Sequence, residues 1–297
     1  MLKTGEFYAL LTAVCWSVTA LCFEFAGKRV GTLALNIIRL VIAFAFIAVY
    51  SLIRTGTPVP LTVSIFTWKW LLFSGFIGFV LGDFFLFKGF INIGARISML
   101  IMSLAPVFSA IIDFMITGET LSFFELTGVT VTLLGITIVI TGHGNGQKPG
   151  YDRKKAVKGV VYAVLGSLGQ AGGLVISKYA ILDTDPFVAT QIRIIAGITG
   201  FAVIILFSRK GGNVIRAVKD RTALKYMIAG SFFGPFLGVS FSLAAVKFTG
   251  AGIASTIMSI VPVILIFPAI FIFHEKIRFR EVAGALVSVA GVAMLFL

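Results

Sequence analysis

The chain has 297 residues, 58% of them hydrophobic and only 12% charged, with a mean hydropathy of +1.05. Soluble domains carry about a quarter charged residues, so this much apolar surface cannot be hidden in one water-facing core and must be solvated by lipid. The net charge of +13 does not mark a nucleic-acid surface, because the basic residues sit between hydrophobic runs, where Lys and Arg orient spans and meet anionic headgroups.

Runs of near-membrane length occur at about 6–25, 33–53, 70–91, 96–117, 125–142, 158–178, 187–207, 226–246, 252–273 and 281–297. A crossing needs about 17–25 residues, so the sequence predicts an all-α integral membrane protein of ten transmembrane helices. The first run is too long for a signal-peptide core and is expected to remain as an uncleaved signal-anchor. Cys15 and Cys22 lie on this run, separated by about 10 Å of helix rise, which excludes a mutual disulfide. The connectors are brief and carry turn chemistry: Gly27–Gly31, Gly56–Pro60, Asn92–Gly94 and Asp183–Pro186. The longest breaks are Gly142–Lys158 and Ser208–Lys225. Gly142, Gly144 and Gly146 alternate there, but no strand precedes them and no Gly-Lys-Ser/Thr follows, so they read as a hinge and not as a phosphate loop. His143 and His274 stand alone at membrane edges; no metal or cofactor is assigned.

The chain repeats itself. At an offset of 156, Gly78 and Gly82 fall on Gly234 and Gly238, Gly94-Ala95 on Gly250-Ala251, Ile101-Met102-Ser103 on Ile257-Met258-Ser259, and Pro106-Val107 on Pro262-Val263. Glu119, Phe123, Glu125, Gly128 and Gly135 fall on Glu275, Phe279, Glu281, Gly284 and Gly291. At an offset of 154, Gly5, Tyr8 and Arg39 fall on Gly159, Tyr162 and Arg193. The halves are 1–145 and 158–297, joined by a basic linker at 146–157. Five crossings per half is an odd number, so the second half enters the membrane upside down. Two inverted repeats can then pack about an axis in the membrane plane, with a site near mid-membrane that rocking opens to alternate sides.

Each half carries a proline in its fourth span, a glutamate thirteen residues later and a glycine-punctuated fifth span: Pro106, Gly118-Glu119, Gly128 and Gly135, then Pro262, His274-Glu275, Gly284 and Gly291. An arginine sits early in each second span. This pattern resembles the EamA family of the drug/metabolite transporter superfamily over essentially the whole chain. The resemblance implies a ten-span exporter of amino acids, metabolites, nucleosides or toxic compounds.

Several residues are candidates for a site. Gly78–Gly82 and Gly234–Gly238 are GxxxG runs that let helix backbones approach closely, and Pro235 adds a kink to the second. An ionised group at the centre of a span costs about 2.5–3.5 kcal/mol, so Asp83, the deepest carboxylate, must face protein or water. It reads either as a proton or substrate-amine site or as a structural partner of Lys88 or Lys247. Asp113 shares a helix stripe with Met99, Met102, Ser103 and Pro106, matched by Ser255, Met258, Ser259 and Pro262 in the other half. Methionines beside small hydroxyls can line an adaptable cavity, though a helix seam would look the same. Trp16 and its repeat partner Gln170 are mid-span, where an interfacial aromatic is not expected. Substrate contact is therefore assigned to Trp16, Asp83, Met102, Ser103, Gln170, Met258 and Ser259. Glu24 and Lys178 are expected at cavity mouths, Arg39 and Arg193 as snorkelling or paired structural cations, and Glu119 and Glu275 as acceptors at helix starts.

These readings point to a secondary transporter working by alternating access, and the resemblance implies that it exports small amphipathic metabolites, amino acids or related compounds, across the plasma membrane. A multidrug or toxic-compound exporter is the alternative. An intramembrane enzyme using Asp83 and Asp113 is disfavoured: Val80 stands where an aspartyl protease's Gly-x-Gly-Asp motif needs glycine, and no nucleophile–base constellation is present. The expected partners are a small-molecule substrate and membrane lipids, without nucleic acid, in a monomer or weak homodimer; proton coupling stays open. Positive-inside bias, strongest at Arg153–Lys155, Arg209–Lys225 and Lys276–Arg280, predicts both termini outside.

Overall fold

The computed structural model describes residues 4–60, 63–117, 123–144, 152–181, 184–249, 251–271 and 279–294, and every regular element among them is helical. The first half comprises α1 (Thr4–Val30), α2 (Thr32–Thr55), α3 (Ile65–Ile93), α4 (Ala95–Ile101), α5 (Leu104–Thr117) and α6 (Phe123–Gly144). The second comprises α7 (Arg153–Ile181), α8 (Pro186–Phe207), α9 (Gly211–Lys219), α10 (Arg221–Thr249), α11 (Ala251–Met258), α12 (Val261–Ile264), α13 (Ile266–Phe271) and α14 (Phe279–Met294). Eight helical stretches are long and apolar enough to cross a membrane, so the protein is multi-pass. The expected fifth and tenth runs are helical as well, but their described stretches are shorter: Leu126–Ile140 in α6, and the 16 residues of α14.

Turn and cap chemistry sets the helix ends. Gly31, Gly56 and Gly94 all take positive φ, and at Gly94 that conformation (φ 85°, ψ 161°) separates α3 from α4 without a gap in the chain. Asp185 caps α8 through the Phe187 and Val188 amides. The long Ser208–Lys225 break, read from sequence as a connector, holds the short amphipathic helix α9. Asp220 follows it and caps α10 through the Ala223 amide while pairing with Arg29 of α1 at 3.0 Å. The cap and then the guanidinium hold its carboxyl below the usual carboxylate range.

Two kinds of interruption recur at repeat-related positions. In α3, Phe76–Gly82 widens into a π-helical turn, with the Asp83 amide bonding back to Gly78; in α10, Phe232–Gly238 does the same, with Val239 bonding back to Gly234. Pro235 removes one ordinary helical donor from the second copy. The fourth span of each half is broken just before its proline. Ser103 bonds back three residues to Leu100 and Ala105 to Met102, and Ile260 likewise bonds to Ile257. Pro106 and Pro262 have no N–H to return to Met102 and Met258, so the chain tightens there instead.

The halves interleave through these glycines. The α3 GxxxG run lies on α7, with Gly82 against Gly169 and Gly78 against Gly173, while the α10 run lies on α1, with Gly234 against Thr19 and Gly238 against Trp16. Thus α1 rests on α10 and α7 on α3, each half's first helix lying on the repeat-related long helix of the other. The last helices pair directly: Gly135 of α6 meets Gly284 and Ser288 of α14, and Gly291 meets Gly128 and Thr132. A Cβ at Gly135 would fall 2.6 Å from the Gly284 carbonyl oxygen and 2.8 Å from the Ser288 Cα. These are backbone atoms and cannot swing aside. Gly135→Val is therefore expected to destabilise by about 1–3 kcal/mol. Gly212→Ala, with nothing within 4 Å of its added carbon, should be neutral. Melting curves in detergent test the pair; equal melting would show that α6 and α14 are not tightly packed.

Candidate functional site

A cavity of about 150 Å3 opens where the halves meet. Trp16 of α1, Asp83 of α3, Met102 and Ser103 at the α4–α5 break, Gln170 of α7, Met258 of α11 and Ser259 at the following break all line it. The seven residues named from sequence are thus gathered around one space. The lining also pairs residues by the repeat: Trp16 with Gln170, Arg39 with Arg193, Met99 with Ser255, Met102 with Met258, Ser103 with Ser259, and Pro106 with Pro262. The helix breaks bring these residues to the cavity. A regular turn would carry Met102 and Ser103 along the helix face, whereas the tightened turns place both serines at the wall. Ser259 Oγ donates to the Thr256 carbonyl at 2.7 Å, while Ser103 Oγ and Ser109 Oγ are buried with no partner among the described residues.

The charged part of the wall departs from the sequence reading. Asp83 does not pair with Lys88 or Lys247; it is bound by Arg39 of α2, and both are almost fully buried. Lys88 lies five residues along α3 and so points elsewhere; its Nζ sits 4.1 Å from the Phe84 ring centroid. Lys247 donates to the Thr184 carbonyl at 3.0 Å. Arg39 does not snorkel. Its Nε and Nη2 also donate to Asn36 Oδ1 at 3.1 and 3.0 Å, and its guanidinium stacks on Phe87 at 4.6 Å. The other Asp83 oxygen, Oδ1, accepts from Gln170 Nε2 at 2.5 Å, and the same amide donates to the Gly78 carbonyl at 3.2 Å. The π-turn of α3 therefore delivers Asp83 to a cation from α2 and an amide from α7 together. Phe79, inside that turn, lies between the two arginines, 5.7 Å from Arg39 Cζ and 5.4 Å from Arg193 Cζ.

Arg39, Arg193, Phe23, Phe79 and Phe87 are wall residues that the sequence reading left out of the site. The signal available for the arginines was that each lies inside its span, where pairing with an intramembrane acid such as Asp83 is an alternative to snorkelling. Glu24 and Lys178 do not line the cavity. Glu24 instead accepts from the Ala95 amide at 2.6 Å, capping α4, and pairs with Lys28. A second buried pair, Arg96 Nη1 to Glu281 Oε2 at 2.7 Å, ties α4 to α14 away from the cavity. Glu119, Glu275, His274 and the side chains of Asp113 and His143 lie outside the described residues.

A family model described as the EamA-like transporter family matches residues 3–141 and 157–297. An uncharacterized transporter of Archaeoglobus fulgidus is 26% identical over 296 residues, covering 97% of this chain and 96% of its own. The uncharacterized transporter YyaM of Bacillus subtilis is 29% identical over 152 residues, 51% of this chain and 48% of its own. A crystal structure sharing 15% identity superposes with a TM-score of 0.66, covering 99% of this chain and 98% of that one, which shows the same fold.

Proposed function

Because this chain belongs to the EamA-like transporter family, we propose that its cavity carries a small amphipathic metabolite across the plasma membrane by alternating access. In this reading the chain crosses ten times as two inverted five-helix halves, 1–145 and 158–297, and exports its solute without ATP, driven by a gradient. The observation that carries it is the pairing of repeat-related residues around one cavity. Two inverted halves sharing a site can exchange roles, one opening as the other closes. The broken fourth spans and the wide turns in the third give each half backbone that can bend without losing whole helices. Trp16, Met102, Ser103, Gln170, Met258 and Ser259 supply solute contacts, and Asp83 fixes the wall between them. The methionines suit a solute whose apolar part varies.

Liposomes containing the purified protein, preloaded with a panel of amino acids and related amphipathic compounds, test this proposal. Saturable counterflow of at least one compound is expected, with the same compound raising the melting temperature. Correctly inserted protein that exchanges no solute and is stabilised by none would overturn it.

A further inference from the structure

Three charged side chains line the cavity among the described residues: Arg39, Asp83 and Arg193. Two of them are saturated by each other and by neighbours. Both Asp83 oxygens are occupied, one by Arg39 and one by Gln170, and Arg39 is further held by Asn36. Arg193 is different. It is only 4% exposed, its Nε is buried without a partner, and it makes no hydrogen bond or ion pair with the described residues. Its guanidinium lies over the Phe79 ring, 5.4 Å from the centroid, and Asp83, the acid that shares the cavity wall among the described residues, is already paired with Arg39. A guanidinium stays protonated at any physiological pH and presents five donors in a planar fork. Left unmatched inside a membrane protein it is costly, so whatever fills the cavity must supply its acceptors.

Resting on the reading that the cavity is the transport site, we propose that Arg193 anchors a carboxylate of the transported solute. The charge count selects the class. With Asp83 at minus one and two arginines at plus one each, the wall carries one surplus positive charge, which a monoanion balances. A phosphate dianion would overshoot, and a cationic amine would find no free carboxylate. Geometry agrees, because the guanidinium fork matches the two oxygens of a carboxylate. The rest of the wall is mostly apolar, with Phe23, Leu86, Phe87, Met99, Pro106 and Pro262 beside the hydroxyls of Ser103, Ser109, Ser255 and Ser259. An apolar cavity of about 150 Å3 holds a molecule of roughly benzene size. The fitting solute is therefore a small organic monocarboxylate with a compact apolar body.

Three probes of one shape decide the matter: benzoate, benzamide and benzylamine. For the purified full-length protein, benzoate should raise the melting temperature and bind at least about tenfold more tightly than either analogue, as expected of a charge-assisted bidentate contact. Arg193→Gln should abolish that preference, and Arg193→Lys should keep the charge but lose roughly tenfold through the missing fork. The wild-type comparison stands even if a variant fails to fold. Equal stabilisation of wild type by benzoate and benzamide, as water or chloride at Arg193 would give, overturns the anchor, as does a preference for benzylamine. In liposomes, saturable exchange of a neutral solute with no response to benzoate would likewise refute the anchor while leaving the transport reading intact. Absence of all solute exchange would remove both.

Discussion

Asp83→Leu is expected to cost the folded protein about 3–5 kcal/mol, because it leaves a buried guanidinium without its counter-charge. The melting temperature in detergent should fall by roughly 10 °C. Arg39→Met should do comparable damage from the other side, stranding the carboxylate between the Gln170 amide and the field of Arg193. The double variant, Asp83→Leu with Arg39→Met, removes both charges and should recover most of the loss, since apolar replacements of a buried ion pair are often neutral or better. Recovery should stop short of complete, because Arg193 then loses the negative charge of Asp83 on the same cavity wall. A double-mutant cycle on melting data isolates the coupling. Additive losses, with no recovery in the double variant, would show that Asp83 and Arg39 do not act as a pair.

Tryptophan at either helix break should stop transport without unfolding the protein. Ser103 and Ser259 are buried at the cavity wall, each one residue beyond a methionine and three before a proline. A cavity of about 150 Å3 accepts a benzene-sized molecule, and an indole is larger, so one side chain fills it. Ser103→Trp and Ser259→Trp are each expected to reduce solute flux to below about a tenth of wild type. Melting curves should show both tryptophan variants folded. Cysteines at the two positions should react with small polar thiol reagents, more slowly when solute is present. Unreactive cysteines together with normal flux in both tryptophan variants would place this stripe in a static seam.

The sequence made some of this legible and hid the rest for definable reasons. Hydrophobic runs located the eight helical stretches long enough to cross a membrane to within about five residues, since lipid demands a long apolar stretch for each crossing. Repeated glycines and prolines revealed two related halves, because such residues mark close approach and chain breaks that cannot shift freely. Stripe geometry led from Pro106 and Pro262 back to Met102, Ser103, Met258 and Ser259. The wide turns at Phe76–Gly82 and Phe232–Gly238 left no such mark, as one extra residue in a turn does not alter hydrophobicity. The partner of Asp83 was misjudged by naming Lys88 or Lys247 in place of Arg39, 44 residues away. Depth was the better guide. A charge that cannot reach water seeks the opposite charge at its own level, whatever the sequence separation.

The surplus positive charge on the cavity wall also has an electrical side. A unit charge carried across the full membrane potential is worth about 2.3 kcal/mol per 100 mV, and one moved through part of the field proportionally less. Under the proposed alternating access, a monoanion bound beside Arg193 would bring the groups in the cavity to zero and make the loaded passage nearly indifferent to voltage. The empty return would not be. An inside-negative potential favours whichever empty state holds the guanidinium nearer the cytoplasm, so membrane voltage would act on the unloaded half of the cycle and set where the vacant carrier waits.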